Sequence, residues 1–186
     1  PWRHRLRVIV TTPTEDMLQL EMNRIHRMAM DHGGIHEGPA EAERLWHERD
    51  AWVRDFAYRA GMRAALLVHV PLGELGDYLR RFETFSRHVK ERYGLRMGVG
   101  GFLTDRSFIS VLAIYFDPRS EDSRSRAIAA WNEVKVMALE SGAVPYRIGG
   151  VWGDQMPRMG EYYRVLREVK SLLDPRGIMS PGILGL

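Results

Sequence analysis

The sequence predicts an α+β fold in which residues 64–148 form a ferredoxin-like β-α-β-β-α-β unit, one antiparallel sheet with both helices on one face. Three observations lead there. Residues 64–70, 95–103 and 108–116 are strand-length runs rich in aliphatic and aromatic residues. Two longer stretches of helical periodicity, 73–93 and 121–141, lie between or after them. The two middle strands are separated only by Thr104-Asp105-Arg106-Ser107, residue types suited to a hairpin turn.

In chain order, residues 6–12 (LRVIVTT) read as a strand. Pro13-Thr14-Glu15-Asp16 is a helix start, with Thr14 as cap and acids in the first turn. Met17, Leu18, Ile25 and Met28 recur at roughly helical spacing until Gly33-Gly34 stops the helix. Pro39 opens a second helix, predicted to run to Arg59 with Leu45, Trp52 and Phe56 on one side and Gly61 as terminator. The strand at 64–70 is closed by Pro71. The helix at 73–93 carries Leu75, Leu79, Phe82 and Val89 on one face and ends at Gly94. Asp117-Pro118 closes the strand at 108–116. The helix at 121–141 is predicted to face Ile128, Trp131, Val134 and Met137 inward, and Gly142 stops it. A short strand at 144–148, a last helix at 157–173 and a coil at 174–186 complete the chain. The division expected is 1–61, a partial first ferredoxin-like unit of one strand and two helices; 62–156, the complete unit; and 157–186, helix and tail. With no low-complexity linker, these are expected to form one body.

Composition narrows the function classes. The 186 residues, 45% hydrophobic and 27% charged, suit a soluble globular protein. The longest apolar run, 111–116, is strand-sized, far short of the ~18 residues of a membrane span. No leader is recognisable in Pro1-Trp2-Arg3-His4-Arg5, and a first residue other than Met suggests a fragment or a processed piece. The absence of cysteine removes disulfides, thiolate nucleophiles and Cys-ligated metals, and fits a reducing compartment; a cytoplasmic location is expected. Basic residues number 27 against 24 acidic, with lysine only at 90, 135 and 170. The arginines are interleaved with acids along helices, so they read as solvated faces and no nucleic-acid partner is expected.

Three constellations could carry chemistry. A Tyr146-Arg147 pair followed by Gly149-Gly150 can aim a phenol hydroxyl and a guanidinium at one small anion; an isolated pair of this kind is more often a surface tyrosine beside a salt-bridging arginine. The segment Asp174-Pro175-Arg176-Gly177-Ile178-Met179-Ser180-Pro181-Gly182 ends a helix and turns twice, as a tail stapled back onto the body would. His32, His36, Glu37 and His47 invite a metal reading, but Gly33-Gly34 breaks the helical spacing that a His pair needs, so no metal is expected. Gly98-Val99-Gly100-Gly101 is too short for a dinucleotide fingerprint and reads as a bulge or close approach within a strand.

Gly142, Tyr146-Arg147, Asp154-Gln155 and the closing Asp174-Pro175-x-Gly177-Ile178-x-x-Pro181-Gly182 together resemble the C-terminus of the vanillyl-alcohol oxidase / p-cresol methylhydroxylase flavoproteins. The resemblance is sharp over 142–182 and topological over 62–141, and the tail motif is shared across the FAD-linked oxidase superfamily. It implies the substrate-capping part of an FAD-dependent oxidoreductase, with FAD held mostly by a separate N-terminal flavin domain that these residues do not include. The fragment alone would then be inactive. It further implies that Tyr146 and Arg147 bind and stabilise the oxygen of a para-substituted phenol while hydride leaves for the flavin. Met97 and Val111 would line the pocket, and Ser180 and Gly182 in the tail would approach the cofactor. Relatives associate through this region, so a homo-oligomer is expected.

Some positions depart from the pattern. Ile183 follows Pro181-Gly182 where many relatives have lysine. His69 sits late in its strand for a covalent flavin link, so non-covalent FAD is expected. The His-rich turn and Glu-His-Gly of metal-dependent 2-hydroxy-acid dehydrogenases are replaced here by residues 98–105 and by Tyr146-Arg147-Ile148-Gly149. A 2-hydroxy-acid dehydrogenase cap and a stand-alone ferredoxin-like binding or dimerisation module are the alternative readings.

Overall fold

The structure, a computed structural model, describes residues 4–48 and 62–186. The chain divides into two compact units, Pro1–Val53 and Arg54–Leu186.

In the first unit, α1 (Glu15–Asp31) is capped by Thr14, whose hydroxyl accepts from the Met17 N–H at 3.4 Å. It ends where Gly33 and Gly34 donate to Met30 O and Ala29 O at 3.0 and 2.8 Å. A Cβ at Gly34 would lie 2.7 Å from Ala29 O, so the close approach requires glycine. The second helix, α2 (Pro39–His47), starts on a proline as predicted. Its predicted extension to Arg59, with Trp52, Phe56 and Gly61, lies outside the described residues. The expected strand at 6–12 is not formed: the segment has no strand partner among the described residues, and Leu6 and Ile9 are 72% and 61% exposed. Its β-branched residues suit a pleated, half-buried surface, and the unit offers no neighbouring strand among the described residues. Arg5 ties the segment to Glu37, at 3.1 and 2.8 Å.

The second unit carries the predicted ferredoxin-like order. Its strands are β1 (Met62–Pro71), β2 (Arg96–Leu103), β3 (Ser107–Phe116) and the two-residue β4 (Val144–Pro145), in the antiparallel order β2-β3-β1-β4. Its helices α3 (Leu75–Tyr93) and α4 (Glu121–Glu140) cover one face. Gly94, in the left-handed conformation at φ 64°, terminates α3. The Ser120 hydroxyl caps α4 by accepting from the Ser123 N–H at 3.2 Å. Leu66, Val68 and Val70 of β1 and Leu112 and Ile114 of β3 pack against Tyr78, Phe82, Val89, Ala127, Ala130 and Val134.

Within α4 the inward face is Ala127, Ala130, Val134, Met137 and Ala138, while Ile128 is 64% exposed rather than inward. Apolar residues surround this helix, and the small alanines decide which side lies closest to the sheet. Similarly, β4 ends at Pro145 instead of reaching Ile148; beyond it only the Tyr146 N–H still bonds to β1, at Leu67 O, before the chain bends away. The last helix, α5 (Glu161–Leu173), starts four residues later than predicted. Pro157 sits inside a 3-10 segment, Gly150–Met159, and Gly160 breaks the chain at φ 54°, ψ −123°.

One core hydrogen bond has a testable consequence. The Tyr78 hydroxyl lies 2.8 Å from Ser110 Oγ, and both residues are fully buried. Burial pushes the Tyr78 pKa up to about 12, against the opposing effect of Ser110. Below the unfolded value of about 10, both states hold the proton and stability is unaffected. Above it the unfolded chain ionises while the folded one does not, so stability falls until the pH passes the folded value. Tyr78→Phe is expected to cost about 1–2 kcal/mol near neutrality by stranding Ser110, and to flatten this alkaline loss. Urea midpoints measured against pH for both proteins check it.

Candidate functional site

Because side chains alternate along a strand, register assigns each residue to a face. The pairs Leu67↔Val111 and Val111↔Gly100 place these three on the face opposite the helices. On that open face lie Leu67 and His69 of β1, Ile109 and Val111 of β3, and Gly98, Gly100 and Phe102 of β2. The Tyr115 ring covers Gly98, approaching within 3.2 Å of where a Cβ would stand, whereas nothing comes within 4 Å of that position at Gly100. Gly100 thus leaves open space on this face, with Val111 and Leu67 beside it, among the described residues.

The expected pocket pair therefore separates. Val111 lies on the open face. Met97 pairs with Ile114, which is 1% exposed, and packs into the helix-side core. It cannot line the same surface as Val111, because the two have opposite parity in the sheet.

Tyr146 lies at the rim of the open face. Its N–H donates to Leu67 O at 3.0 Å, and Pro145 before it is buried. The ring stacks on His69, with centroids 5.2 Å apart and planes 22° from parallel, and is 41% exposed. The Arg147 guanidinium sits 5.8 Å from the Tyr146 ring centroid. Arg147 is exposed and makes no ion pair or hydrogen bond among the described residues. Tyr146 and a guanidinium that is not neutralised among the described residues thus lie together at the edge of this face, and a phenol hydroxyl and a guanidinium are groups that can hold one small anion. His69 Nδ1 lies 3.1 Å from Ser107 Oγ. Sequence reasoning weighed His69 only as a flavin attachment point. The signal for its place here was the alternation of buried Leu66, Val68 and Val70 with Leu67 and His69.

Behind the pair, the chain is locked to α4. Lys135, 4% exposed, donates to Asp154 Oδ1 at 2.6 Å and to Val151 O at 3.2 Å. Gln155 Nε2 donates to Asp154 Oδ2 at 2.8 Å, while Gln155 Oε1 is buried without a partner among the described residues. Partial burial pushes the Asp154 carboxyl up, but hydrogen bonds from Lys135 and Gln155 outweigh it and hold the pKa below its ordinary value.

The tail is stapled as the sequence suggested. Asp174, 6% exposed, accepts from Lys170 Nζ at 2.6 Å and from the N–H groups of Ile178 and Met179 at 3.0 and 2.9 Å. The Lys170 hydrogen bond is the main cause that holds its carboxyl below the ordinary range, against burial and with help from those N–H groups. Tyr163 Oη donates to Gly185 O at 2.6 Å, and a Cβ at Gly185 would meet Gly153 O at 2.6 Å.

The sequence over residues 6–184 matches the family described as FAD linked oxidases, C-terminal domain. The chain belongs to this family. A member is the C-terminal part of an FAD-linked oxidoreductase, whose FAD-binding domain is N-terminal. Toward such a cofactor or its substrate, the sheet face around Gly100 offers the apolar side chains Val111 and Leu67, with no side chain over Gly100 among the described residues. The tail is poorly suited to cradle phosphates: the N–H groups of Gly177, Ile178, Met179, Gly182 and Ile183 are spent on Asp174, Leu186 and Ser180. Ser180, exposed at φ 44°, keeps a hydroxyl with no hydrogen bond among the described residues, and Gly182 adopts φ 78°.

The histidines that invited a metal reading are engaged separately. His32 Nδ1 lies 2.9 Å from Met28 O, His36 packs edge-on to His26 at 5.2 Å, and His47 pairs with Glu43 at 3.5 Å. No cluster of three metal-ligating side chains occurs among the described residues. No helix among them is long and apolar enough to cross a membrane.

Proposed function

We propose that this chain is the substrate-capping part of an FAD-dependent oxidoreductase of the vanillyl-alcohol oxidase / p-cresol methylhydroxylase type, acting on a para-substituted phenol or another small alcohol or anionic substrate. The observation that carries this reading is Arg147, a guanidinium with no ion pair among the described residues, 5.8 Å from the Tyr146 ring centroid at the rim of the sheet face opposite α3 and α4. Tyr146 and Arg147 hold the substrate oxygen and stabilise its negative charge. Val111 and Leu67 pack on the ring, and the open space at Gly100 leaves it room. When bound, FAD supplies the redox capacity that the chain's own side chains lack.

The cofactor is held without a covalent link from this chain and mainly by the FAD-binding domain, in the same polypeptide or as a separate one. Support for that docking comes from α5, which buries no residue. Tyr162, Val165, Val169 and Leu172 form one stripe along it, all exposed, next to exposed Ile178, Met179 and Ile183 in the tail. Residues 157–186, with Ser180 and Gly182, are thus assigned to the contact with the flavin domain.

The test is the visible absorption of the protein purified from its natural source. A flavin spectrum that bleaches on adding a para-alkylphenol without oxygen is the expected result. A flavin spectrum indifferent to every para-substituted phenol would sink the phenol assignment, and a colourless protein would favour a binding module.

A further inference from the structure

The β2–β3 turn gives His69 Nδ1 a hydroxyl partner and admits the tautomer protonated on Nδ1. The Thr104 hydroxyl has a single proton, and of its two possible acceptors Ser107 O at 2.9 Å is nearer than Ser107 Oγ at 3.1 Å, so the proton is assigned to Ser107 O. Thr104 Oγ1 therefore acts as acceptor toward its other neighbours, the Ser107 N–H at 3.1 Å and the Ser107 hydroxyl at 3.1 Å. With its proton committed to Thr104, Ser107 Oγ is left to accept from His69 Nδ1–H at 3.1 Å. Neutral His69 then carries its lone pair on Nε2, which makes no hydrogen bond among the described residues. This bare acceptor belongs to a ring stacked on Tyr146, on the same open face as Val111 and Leu67.

We propose that His69 is the proton acceptor of this site: its Nε2 takes the hydroxyl proton of the bound substrate as the oxygen settles between Tyr146 and Arg147. The inference rests on the phenol-site reading above and adds the group that creates the anion. In the step, the substrate O–H bond breaks with its electron pair left on oxygen, and an Nε2–H bond forms. Nothing is oxidised.

Energetically, a phenol outholds an imidazole for the proton by about 3–4 pKa units in water. The Arg147 charge and the Tyr146 hydroxyl lower the phenol by about 1–3 units, and the imidazolium formed alongside narrows the gap further. That imidazolium keeps its Nδ1–H on Ser107 and lies against the Tyr146 ring, a favourable seat for a cation. The charged and titratable groups nearest along the chain are Tyr146 and Arg147 beyond β4, and Asp105 and Arg106 in the turn before Ser107. The helices pack on the opposite face and contribute none.

The experiment uses the complete, flavin-loaded protein and 4-nitrophenol, buffered where the free phenol is neutral. The expected difference spectrum on binding shows the visible band of the phenolate. His69→Gln is expected to bind the phenol but lose that band. Persistence of the band in His69→Gln, or neutral binding by the unsubstituted protein, overturns the proposal while the site reading stands if Arg147→Ala abolishes binding. Binding that ignores Arg147→Ala, or no binding at all, overturns the site reading and the proposal with it. A measurement that needs no folded variant is NMR of nitrogen-labelled histidine: His69 is expected to be protonated on Nδ1 alone when free and on both nitrogens with the phenol. An unchanged His69 signal overturns the proposal.

Discussion

Replacing Arg147 by alanine in the complete, flavin-loaded protein is expected to lower kcat/KM for a phenolic substrate by about 10²–10³-fold, that is about 3–4 kcal/mol of transition-state stabilisation. The size follows from the charge. A guanidinium with no ion-pair partner among the described residues has its full field available to a substrate oxyanion, and a covering domain that excludes water would strengthen it. Arg147→Lys keeps the charge but loses the planar fork, so it should recover only part of the activity. The fold should be indifferent: Arg147 is exposed, and substitutions at such positions stay within about 0.5 kcal/mol. Steady-state kinetics beside a urea melt reads both. A collapsed fold, or turnover unchanged on every anionic substrate, would remove Arg147 from the site.

The largest effect on stability is expected at Asp154. Asp154→Ala leaves the Lys135 ammonium, 4% exposed, with only Val151 O at 3.2 Å. Breaking a fully buried pair this way costs about 3–5 kcal/mol. Here the Asp154 side chain is 51% exposed, water reaches the vacated position, and about 2 kcal/mol is expected. Lys135→Met should cost less than Asp154→Ala, because methionine fills the channel with apolar volume and the carboxylate left behind is half solvated and still bonded to Gln155. The pH dependence has a definite sign. The folded Asp154 pKa lies below the unfolded one, so its contribution is present above the ordinary carboxylate range and fades as pH falls through the folded value. Denaturant midpoints for the unsubstituted protein and Asp154→Ala should therefore differ at about pH 7 and converge in strong acid. Equal midpoints at neutrality would show that the pair contributes nothing.

Much of the second unit was legible because its signals are local. Gly94 at φ 64° ends α3 wherever that helix packs, and Ser120 caps α4 through its own hydroxyl. The tail was readable for the same reason: Asp174 bonds residues four and five positions on, so its motif is a short-range device. Tyr146-Arg147 and the closing Asp-Pro and Pro-Gly turns pointed to the FAD-linked oxidases without any coordinates, and the family match agrees.

What the sequence by itself determined, then, was element type, caps, turn chemistry and family. Those are fixed by interactions within a few residues. Tertiary structure alone decided the faces and the partners. Met97 and Val111 both looked like pocket residues, and only the register of β2 and β3 put one in the core and the other on the open face. Residues 6–12 have strand composition but no strand to pair with among the described residues. Ile128 is outside because the alanines of α4 allow a closer approach to the sheet. His69 meets Tyr146 across the β1–β4 ladder, 77 positions away in the chain, and Ser107 across the β1–β3 ladder. Such contacts arise only when long-range pairing repays the entropy of closing the loops between strands, and that balance is set by the whole sheet.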